Sequence, residues 1–391
     1  MSEGTPLKQP SLALTPPMGW NSWNMYGGDI HEKLIMEMAD AMVSTGMKDA
    51  GYQYVVIDDH WHGGRDKNGL LYPDAQKFPS GIKALADYVH SKGLKFGIYS
   101  DAGTKTCGGE PGSFRHEEND ARTFASWGVD FLKYDYCNAP DNQRVAIRRY
   151  TKMADALRAA GRPIVFSVCE WGPRQPWLWA RQAGGHLWRT TFDIIDCWDC
   201  SRVHSNAGNS VLTILDLQEG KEQYAGPGGW NDPDMLIVGL CGKGMLKGGG
   251  CTDAEYRAHM SLWCLLAAPL MTACDLRSMS DFTLQTLTNR EVLAVNQDPL
   301  GKQGFRVWRR EGLEVWKKPL SGGSLAVGLF NRSENTASIE AKWADLEISC
   351  ACSVRDLWEK KDLGVFETGF SAEVPSRSLT LLRVNPGQAS K

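Results

Sequence analysis

Short apolar segments, each followed by polar residues and then by a helical pattern, repeat along most of the chain. Tyr52 to Ile57 is apolar and β-branched, which predicts a buried strand, and this strand leads into Asp58-Asp59. A helix from His31 to Thr45 precedes it, with apolar residues three and four positions apart. Repetition of strand, polar loop and helix predicts a parallel sheet covered by helices.

Eight strands of this kind are predicted, and five clear helices lie between them. The strands are Met18–Asn24 with its exit loop, Tyr52–Ile57, Leu94–Tyr99, Asp130–Cys137, Ile164–Cys169, Leu187–Thr191, Tyr224–Met235 and Leu270–Cys274. The helices are His31–Thr45, Ser80–Gly93, His116–Trp127, Gln143–Ala160 and Ala254–Leu266. No glycine-rich nucleotide motif follows any of these strands, and polar residues end several of them. We therefore predict an α/β fold, a (β/α)8 TIM barrel over residues 12–300.

The pattern changes after Asn296-Gln-Asp-Pro299, where short runs of alternating apolar and polar residues are separated by turn residues. These runs are Phe305–Trp308, Leu313–Trp316, Ser324–Phe330, Ala337–Lys342, Ser353–Trp358 and Ser378–Val384. Alternation with frequent turns is typical of antiparallel sheets. We predict a C-terminal antiparallel β-sandwich over residues 301–391.

The amino-acid composition limits the kinds of molecule that the protein is expected to bind. The net charge is −3, so there is no basic field to favour nucleic acid or an anionic membrane. Fifteen tryptophans suit a cleft that stacks flat apolar faces such as those of sugar rings, although buried core tryptophans explain most of them. No apolar run approaches the roughly 20 residues of a membrane span. Met1 to Leu14 lacks the apolar core of a signal peptide, which indicates a cytoplasmic protein or a trimmed chain.

The eleven cysteines are an odd number, so at least one is unpaired. Cys197-x-x-Cys200 has the spacing of a redox or zinc pair, and Cys241 with Cys251 could complete a metal set. The second pair lacks that spacing and no histidine flanks it. Disulfides or buried thiols are the favoured interpretation.

The segment Asp130 to Cys137 carries the most informative chemistry. Because side chains alternate along a strand, Lys133 and Asp135 share one face. We expect the lysine charge to hold the Asp135 carboxylate ionised, as a carboxylate nucleophile requires. A structural ion pair at a strand end is the plain alternative.

Polar residues at the other strand ends would join this pair in one cleft. Carboxylates in excess of cations, beside aromatic rings, suit a neutral ligand with many hydroxyl groups. Two carboxylates facing each other across such a cleft suffice for glycoside hydrolysis, one attacking and one donating a proton. Asp135 fits the first role, and Asp193, just beyond Arg189, is the candidate for the second.

Three other interpretations stay open on the residues alone. Lys133 could form a Schiff base in a lyase. Asp58, Asp59, His60 and His62 could bind a divalent metal. A sugar-binding protein without catalysis would need the tryptophans but not the Lys133–Asp135 arrangement. We expect neither a metal nor a cofactor.

Several longer motifs resemble those of the α-galactosidases of glycoside hydrolase family 27, from about Leu14 to Val384. The motifs are Met18-Gly-Trp-Asn-Ser-Trp, Ile57-Asp-Asp, Gly97-Ile-Tyr-Ser-Asp-Ala-Gly103, Leu132-Lys-Tyr-Asp, Cys169-Glu-Trp-Gly and Gly228-Gly-Trp-Asn-Asp-Pro-Asp-Met235. The resemblance implies a retaining exo-acting glycosidase with an α-galactoside as its substrate, and it leaves a homo-oligomer open. Asp135 matches the family's nucleophile and Asp193 its acid/base. The residues that match its sugar pocket are Trp20, Asp58, Asp59, Tyr99, Lys133, Arg189, Asp234 and Met235.

The resemblance also implies specificity. Asp58 and Asp59 would accept hydrogen bonds from the axial O4 and the O6 hydroxyls, which separates galactose from glucose. Cys169, Glu170 and Trp171 lie where the family recognises the substituent at C2. Their bulk suits a hydroxyl and disfavours an α-N-acetylgalactosaminidase. A β-L-arabinopyranosidase is the closer alternative, because that sugar is galactose without its hydroxymethyl group.

The chain departs from the family at two places. The cysteine that follows the acidic pair in many relatives is His60 here, and its partner near Gly27-Gly28 is also absent. Phe192 replaces the usual glycine before the acid/base. Cys107 and Cys137 match a family disulfide beside the pocket, so we expect that bridge and a periplasmic or extracellular location.

Overall fold

The structure, a computed structural model, describes residues 12–200, 208–245 and 248–387. Residues 1–11 of the segment Met1 to Leu14, and residues 388–391 at the predicted end of the second domain, lie outside the described residues.

Eight short parallel strands form the first sheet. They are β1 Met18–Asn21, β2 Tyr54–Val56, β3 Lys95–Asp101, β4 Phe131–Asp135, β5 Val165–Val168, β6 Leu187–Arg189, β7 Trp230–Asp232 and β8 Leu270–Thr272. Their order is β8-β1-β2-β3-β4-β5-β6-β7. Leu236, just beyond β7, pairs with Thr272, and its N–H donates to the Met271 carbonyl at 2.8 Å. The ring of strands therefore closes, which confirms the predicted barrel.

Helices surround these strands and fill the connections between them. The α-helices are Trp23–Tyr26, Glu32–Ser44, Met47–Ala50, Gly81–Ser91, Glu117–Trp127, Gln143–Ala159, Val211–Leu217, Asp253–Leu265, Asp281–Thr288 and Arg290–Asn296. Short 3₁₀ turns cover Pro176–Leu178, Glu222–Tyr224, Leu276–Ser278 and Ser321–Gly323. Within the described ranges, no helix has the length and apolar content that crossing a bilayer would require.

The register of β3 and β4 places polar side chains side by side. Tyr99 is level with Lys133, and Asp101 is level with Asp135. In a parallel sheet all the strands end at the same edge, so the residues that end them share one face of the barrel. This geometry creates the polar cleft described below.

The C-terminal residues form an antiparallel sandwich, as predicted. Its strands are β9 Phe305–Arg310, β10 Leu313–Pro319, β11 Leu325–Asn331, β12 Ala337–Lys342, β13 Cys352–Asp356, β14 Lys361–Phe366, β15 Gly369–Val374 and β16 Ser378–Pro386. One sheet has the order β9-β10-β11-β16-β13-β14, and the pair β12-β15 forms the other. A separate apolar core, including Val327, Ile339 and Trp343, lies between the two sheets. The predicted division at residue 300 stays a prediction.

Candidate active site

A cavity of about 260 Å³ opens at the carboxyl ends of the barrel strands. It is lined by Trp23, Asp58, Asp59, Tyr99, Cys107, Lys133, Asp135, Cys137, Trp171, Phe192 and Asp193. Both predicted catalytic carboxylates are in this set, and they come from the fourth and sixth strands of the barrel. The cleft therefore combines acidic groups with four aromatic side chains and one lysine.

Asp135 ends β4 on the floor of the cleft and is 5% exposed. The Tyr99 hydroxyl donates to its Oδ2 at 2.8 Å. Its Oδ1 is buried and has no hydrogen-bond partner among the described residues. Burial raises the pKa of Asp135 to about 7, although the charge of Lys133 acts in the opposite direction. One oxygen is thus anchored by a hydrogen bond and the other is not.

Lys133 does not make the ion pair predicted for it. Its Nζ lies 2.8 Å from Oδ2 of Asp58, not on Asp135. The lysine charge lowers the pKa of Asp135 as expected, but burial outweighs it, so the prediction that this charge keeps Asp135 ionised is wrong. The long lysine side chain reaches the end of β2, where Asn21 donates to the same Asp58 oxygen. Burial opposes the lysine charge, but the charge of Asp58 offsets burial and the pKa of Lys133 is raised. A cationic lysine cannot attack a carbonyl, which disfavours the Schiff-base alternative.

Asp58 and Asp59 are each 1% exposed, and backbone donors fix their carboxylates. The Asp59 N–H donates to Oδ1 of Asp58 at 2.9 Å. Asp59 accepts from the His60 N–H and the Gly108 N–H, both at 2.8 Å. Burial raises the pKa of Asp59. Two adjacent carboxylates are therefore held in place before any ligand arrives.

Asp193 lies at the mouth of the cleft, where 36% of its side chain is exposed. Arg189 donates to its Oδ1 at 2.9 Å and also lies 3.0 Å from Oδ2 of Asp234. Asp234 accepts from the Ile194 N–H at 2.7 Å, so it anchors the backbone that follows Asp193. Arg189 and the buried carboxylate of Asp234 therefore fix the loop that carries Asp193.

Four predicted sugar contacts line a second, smaller cavity instead. Cys169, Arg189, Asp234 and Met235 surround a space of about 30 Å³ inside the barrel, and Lys133 lines both cavities. These residues lie beneath the cleft, which makes them supports for its floor. Their contact with a sugar stays a prediction.

Two predicted sugar contacts are displaced from the cleft altogether. Trp20 is fully buried, and its Nε1 donates to the Cys274 carbonyl at 2.8 Å. The predicted position of Trp20 in the pocket is wrong, because it points into the barrel and Trp23, after the strand ends, lines the cleft.

Glu170 is also wrongly predicted as a cleft residue. It is fully buried, and its carboxylate accepts from the N–H groups of Gly172 and Arg174 and from the Arg174 guanidinium. Burial raises its pKa to about 7. Glu170 fixes the loop that carries Trp171, which does line the cleft as predicted.

The predicted bridge joins Cys107 to Cys137 beside the cleft. Asp101, the buried carboxylate that ends β3, holds this corner: it accepts from the Cys137 N–H at 2.8 Å and from the Gly103 N–H. Burial and the charge of Asp135 raise its pKa. Cys197 and Cys200 form a second bridge, so this pair is not a thiolate metal site.

The histidines of the metal alternative pack on aromatic rings. His60 stacks on Trp23 with ring centroids 6.2 Å apart, and His62 stacks on Trp61 at 3.9 Å. Burial lowers the pKa of His62 to about 3. Neither ring gathers with Asp58 and Asp59 into a cluster of four ligands among the described residues.

Comparison with known proteins gives matches over nearly the whole chain. The family described as Alpha galactosidase A matches residues 15–298, and the Alpha galactosidase C-terminal beta sandwich domain matches residues 310–384. Alpha-galactosidase A of Cellvibrio japonicus is 49% identical over 389 residues, covering 96% of this chain and 93% of the relative. Alpha-galactosidase of Cyamopsis tetragonoloba is 50% identical, with 97% and 88% covered. A putative alpha-galactosidase from Bacteroides fragilis has a similar structure, with a TM-score of 0.93, 45% identity, and 97% and 81% covered.

Proposed function

This chain belongs to the α-galactosidase (melibiase) family of glycoside hydrolases, and we propose that it is an exo-acting α-galactosidase that works with retention of configuration. Its substrates are oligosaccharides or glycoconjugates that end in α-linked galactose. The observation that carries the proposal is that Asp135 and Asp193, from different strands, line one cleft beside two fixed carboxylates.

The proposed reaction is a double displacement. The Asp135 carboxylate attacks the anomeric carbon while Asp193 gives a proton to the glycosidic oxygen, whose bond to that carbon breaks. Arg189 occupies Oδ1 of Asp193, so we assign the proton transfer to Oδ2. Asp193 then takes a proton from water, which attacks the anomeric carbon and releases Asp135 and galactose.

Asp58 and Asp59 support galactose as the sugar. Each carboxylate retains acceptor capacity for sugar hydroxyls beyond the hydrogen bonds it already makes. A sugar that lacks hydroxyls in these positions would leave the buried carboxylates without those partners, so it would bind much less tightly. Trp171 also lines the cleft, and its bulk supports a hydroxyl at C2 over an N-acetyl group.

A panel of nitrophenyl glycosides tests this proposal: α-galactoside, β-L-arabinopyranoside and α-N-acetylgalactosaminide. We expect kcat/KM to be highest for the α-galactoside, and Asp135→Asn to abolish turnover of whichever sugar is cleaved. A higher kcat/KM for the β-L-arabinopyranoside would show that the enzyme is an arabinopyranosidase and not a galactosidase. Hydrolysis of none of the three would reject the proposal.

The two bridges support a periplasmic or extracellular location, because disulfides persist in oxidising compartments. Thiol titration of the unfolded, unreduced protein should count seven free thiols. A count of eleven would remove this support.

A further inference from the structure

Two parallel aromatic pairs flank the mouth of the cleft. On one wall the rings of Trp171 and Phe192 lie 6.4 Å apart with 14° between their planes. On the other wall Trp23 and His60 lie 6.2 Å apart with 11° between their planes. All four side chains are partly exposed, so part of each ring is open to the cleft or to solvent.

Phe192 is placed where the leaving group must pass. It directly precedes Asp193, and both side chains line the cleft. The proton donor has to reach the glycosidic oxygen, so the group attached to that oxygen lies next to Asp193. A galactose held on the floor by Asp58 and Asp59 would therefore direct its aglycone along the Phe192 wall.

We propose, on the basis of the proposed function, that Phe192, which stacks on Trp171, binds the face of the aglycone sugar. The preferred substrates are then α-galactosides whose leaving group is a pyranose ring. A phenyl ring has no hydrogen-bonding groups, so it recognises a flat C–H face and not a particular hydroxyl pattern. The site would accept different hexoses in this position but would gain little from a leaving group without a ring.

The backbone around Phe192 is fixed, which makes the ring a preformed surface. Arg189 donates to the Thr191 carbonyl at 3.0 Å, and the Ile194 N–H donates to Asp234 at 2.7 Å. Trp171 stands on a loop held by Glu170. A preformed aromatic face binds a sugar ring without the cost of ordering a loop.

Two substrates separate aglycone binding from catalysis. One is a galactosyl-α-1,6-glucose disaccharide, and the other is α-galactosyl fluoride, whose leaving group has no ring. In Phe192→Ala we expect the ratio of kcat/KM for the disaccharide to that for the fluoride to fall about tenfold, mainly through KM. Phe192→Tyr should restore the ratio, and Phe305→Ala, which removes an exposed ring on the sandwich, should leave it at the wild-type value.

Each other outcome is decisive. If the two substrates lose activity equally in Phe192→Ala, or neither does, Phe192 does not bind the aglycone. Phe192→Leu, which keeps volume but not the flat face, gives the same comparison if the alanine variant does not fold. If the wild type hydrolyses neither substrate, the proposed function itself fails.

Discussion

Asp135 illustrates how burial and hydrogen bonding set the chemistry of one side chain. Its carboxylate lies where water cannot stabilise its charge, and its pKa rises to about 7. Tyr99 and the charge of Lys133 act against that rise. The nucleophile of the proposed reaction is therefore protonated in part of the empty enzyme near neutral pH.

Tyr99→Phe tests this description. The tyrosine hydroxyl stabilises the ionised carboxylate, so its removal should raise the pKa of Asp135 further. Only the ionised form attacks, so kcat/KM should begin to fall at a higher pH as the medium becomes acidic. A pH profile of kcat/KM for a nitrophenyl α-galactoside measures the shift. If kcat/KM of the variant falls at the same pH as in the wild type, or at a lower pH, the ionisation of Asp135 does not determine the acidic side of the profile.

Side-chain partners were the part of the site that the sequence predicted least well. Strand alternation correctly placed Lys133 and Asp135 on one face, but it could not show that the lysine reaches Asp58 on another strand. Likewise, Trp20 and Trp23 stand three residues apart in one motif. Trp20 lies within β1 and is buried, whereas Trp23 follows the end of the strand and lines the cleft, and the sequence does not show where the strand ends.

One ammonium group donates to both the loop after β1 and the loop after β2. Lys77 Nζ donates to the Gly28 carbonyl at 2.9 Å and to the His60 carbonyl at 3.0 Å. These are the segments that many relatives are expected to join by a disulfide. Trp23 and His60, which stack on one wall of the cleft, belong to these two segments.

Lys77→Met should loosen this wall. Two carbonyls lose a charged donor, so we expect a loss of about 1–3 kcal/mol in the free energy of unfolding and a higher KM with a smaller change in kcat. Urea unfolding and steady-state kinetics measure both. Lys83→Met is the matched control, since Lys83 is exposed and pairs only with Asp87 among the described residues. Equal behaviour of the two variants would show that Lys77 does not hold the wall.

The pattern of apolar residues predicted most of the barrel strands, because strands buried on both faces are nearly continuously apolar. The seventh, Trp230–Asp232, lies instead within a predicted segment that is rich in glycine and proline. The structure adds elements that lack this signal. β14 is mostly exposed and includes Gly364, so it shows no alternation between apolar and polar residues. The hairpin of His62–Arg65 and Leu71–Pro73 is short and rich in glycine on one side. Such edge elements form through pairing with neighbours, which a local pattern does not contain.

Ion pairs join the barrel to the sandwich. Asp216 of the barrel lies 3.1 Å from Arg306 and 2.6 Å from Arg332 of the sandwich. Glu314 is fully buried behind them and accepts from Arg306 at 3.2 Å and from Trp316 at 2.7 Å. Two carboxylates thus offset a cluster of arginines across the interface.

Glu314→Gln should destabilise the whole molecule. The substitution keeps an acceptor for Trp316 but removes one of the two carboxylates that offset the arginine charge, and it is the fully buried one, which costs about 3 kcal/mol. Glu340→Gln removes the charge of an exposed glutamate from the same sandwich and should change stability by less than about 0.5 kcal/mol. Urea unfolding compares the two variants. Equal stabilities would show that the charge of Glu314 does not hold the two parts together.

Trapping a covalent intermediate tests the assignment of Asp135 and Asp193 most directly. In Asp193→Asn, α-galactosyl fluoride needs no proton donor for the first step, but the second step lacks its base. The galactosyl-enzyme should therefore accumulate, and mass spectrometry of a rapid peptic digest should find one added galactosyl residue on Asp135. An adduct on a different carboxylate, or β-galactose as the first product of the wild-type enzyme, would contradict the mechanism.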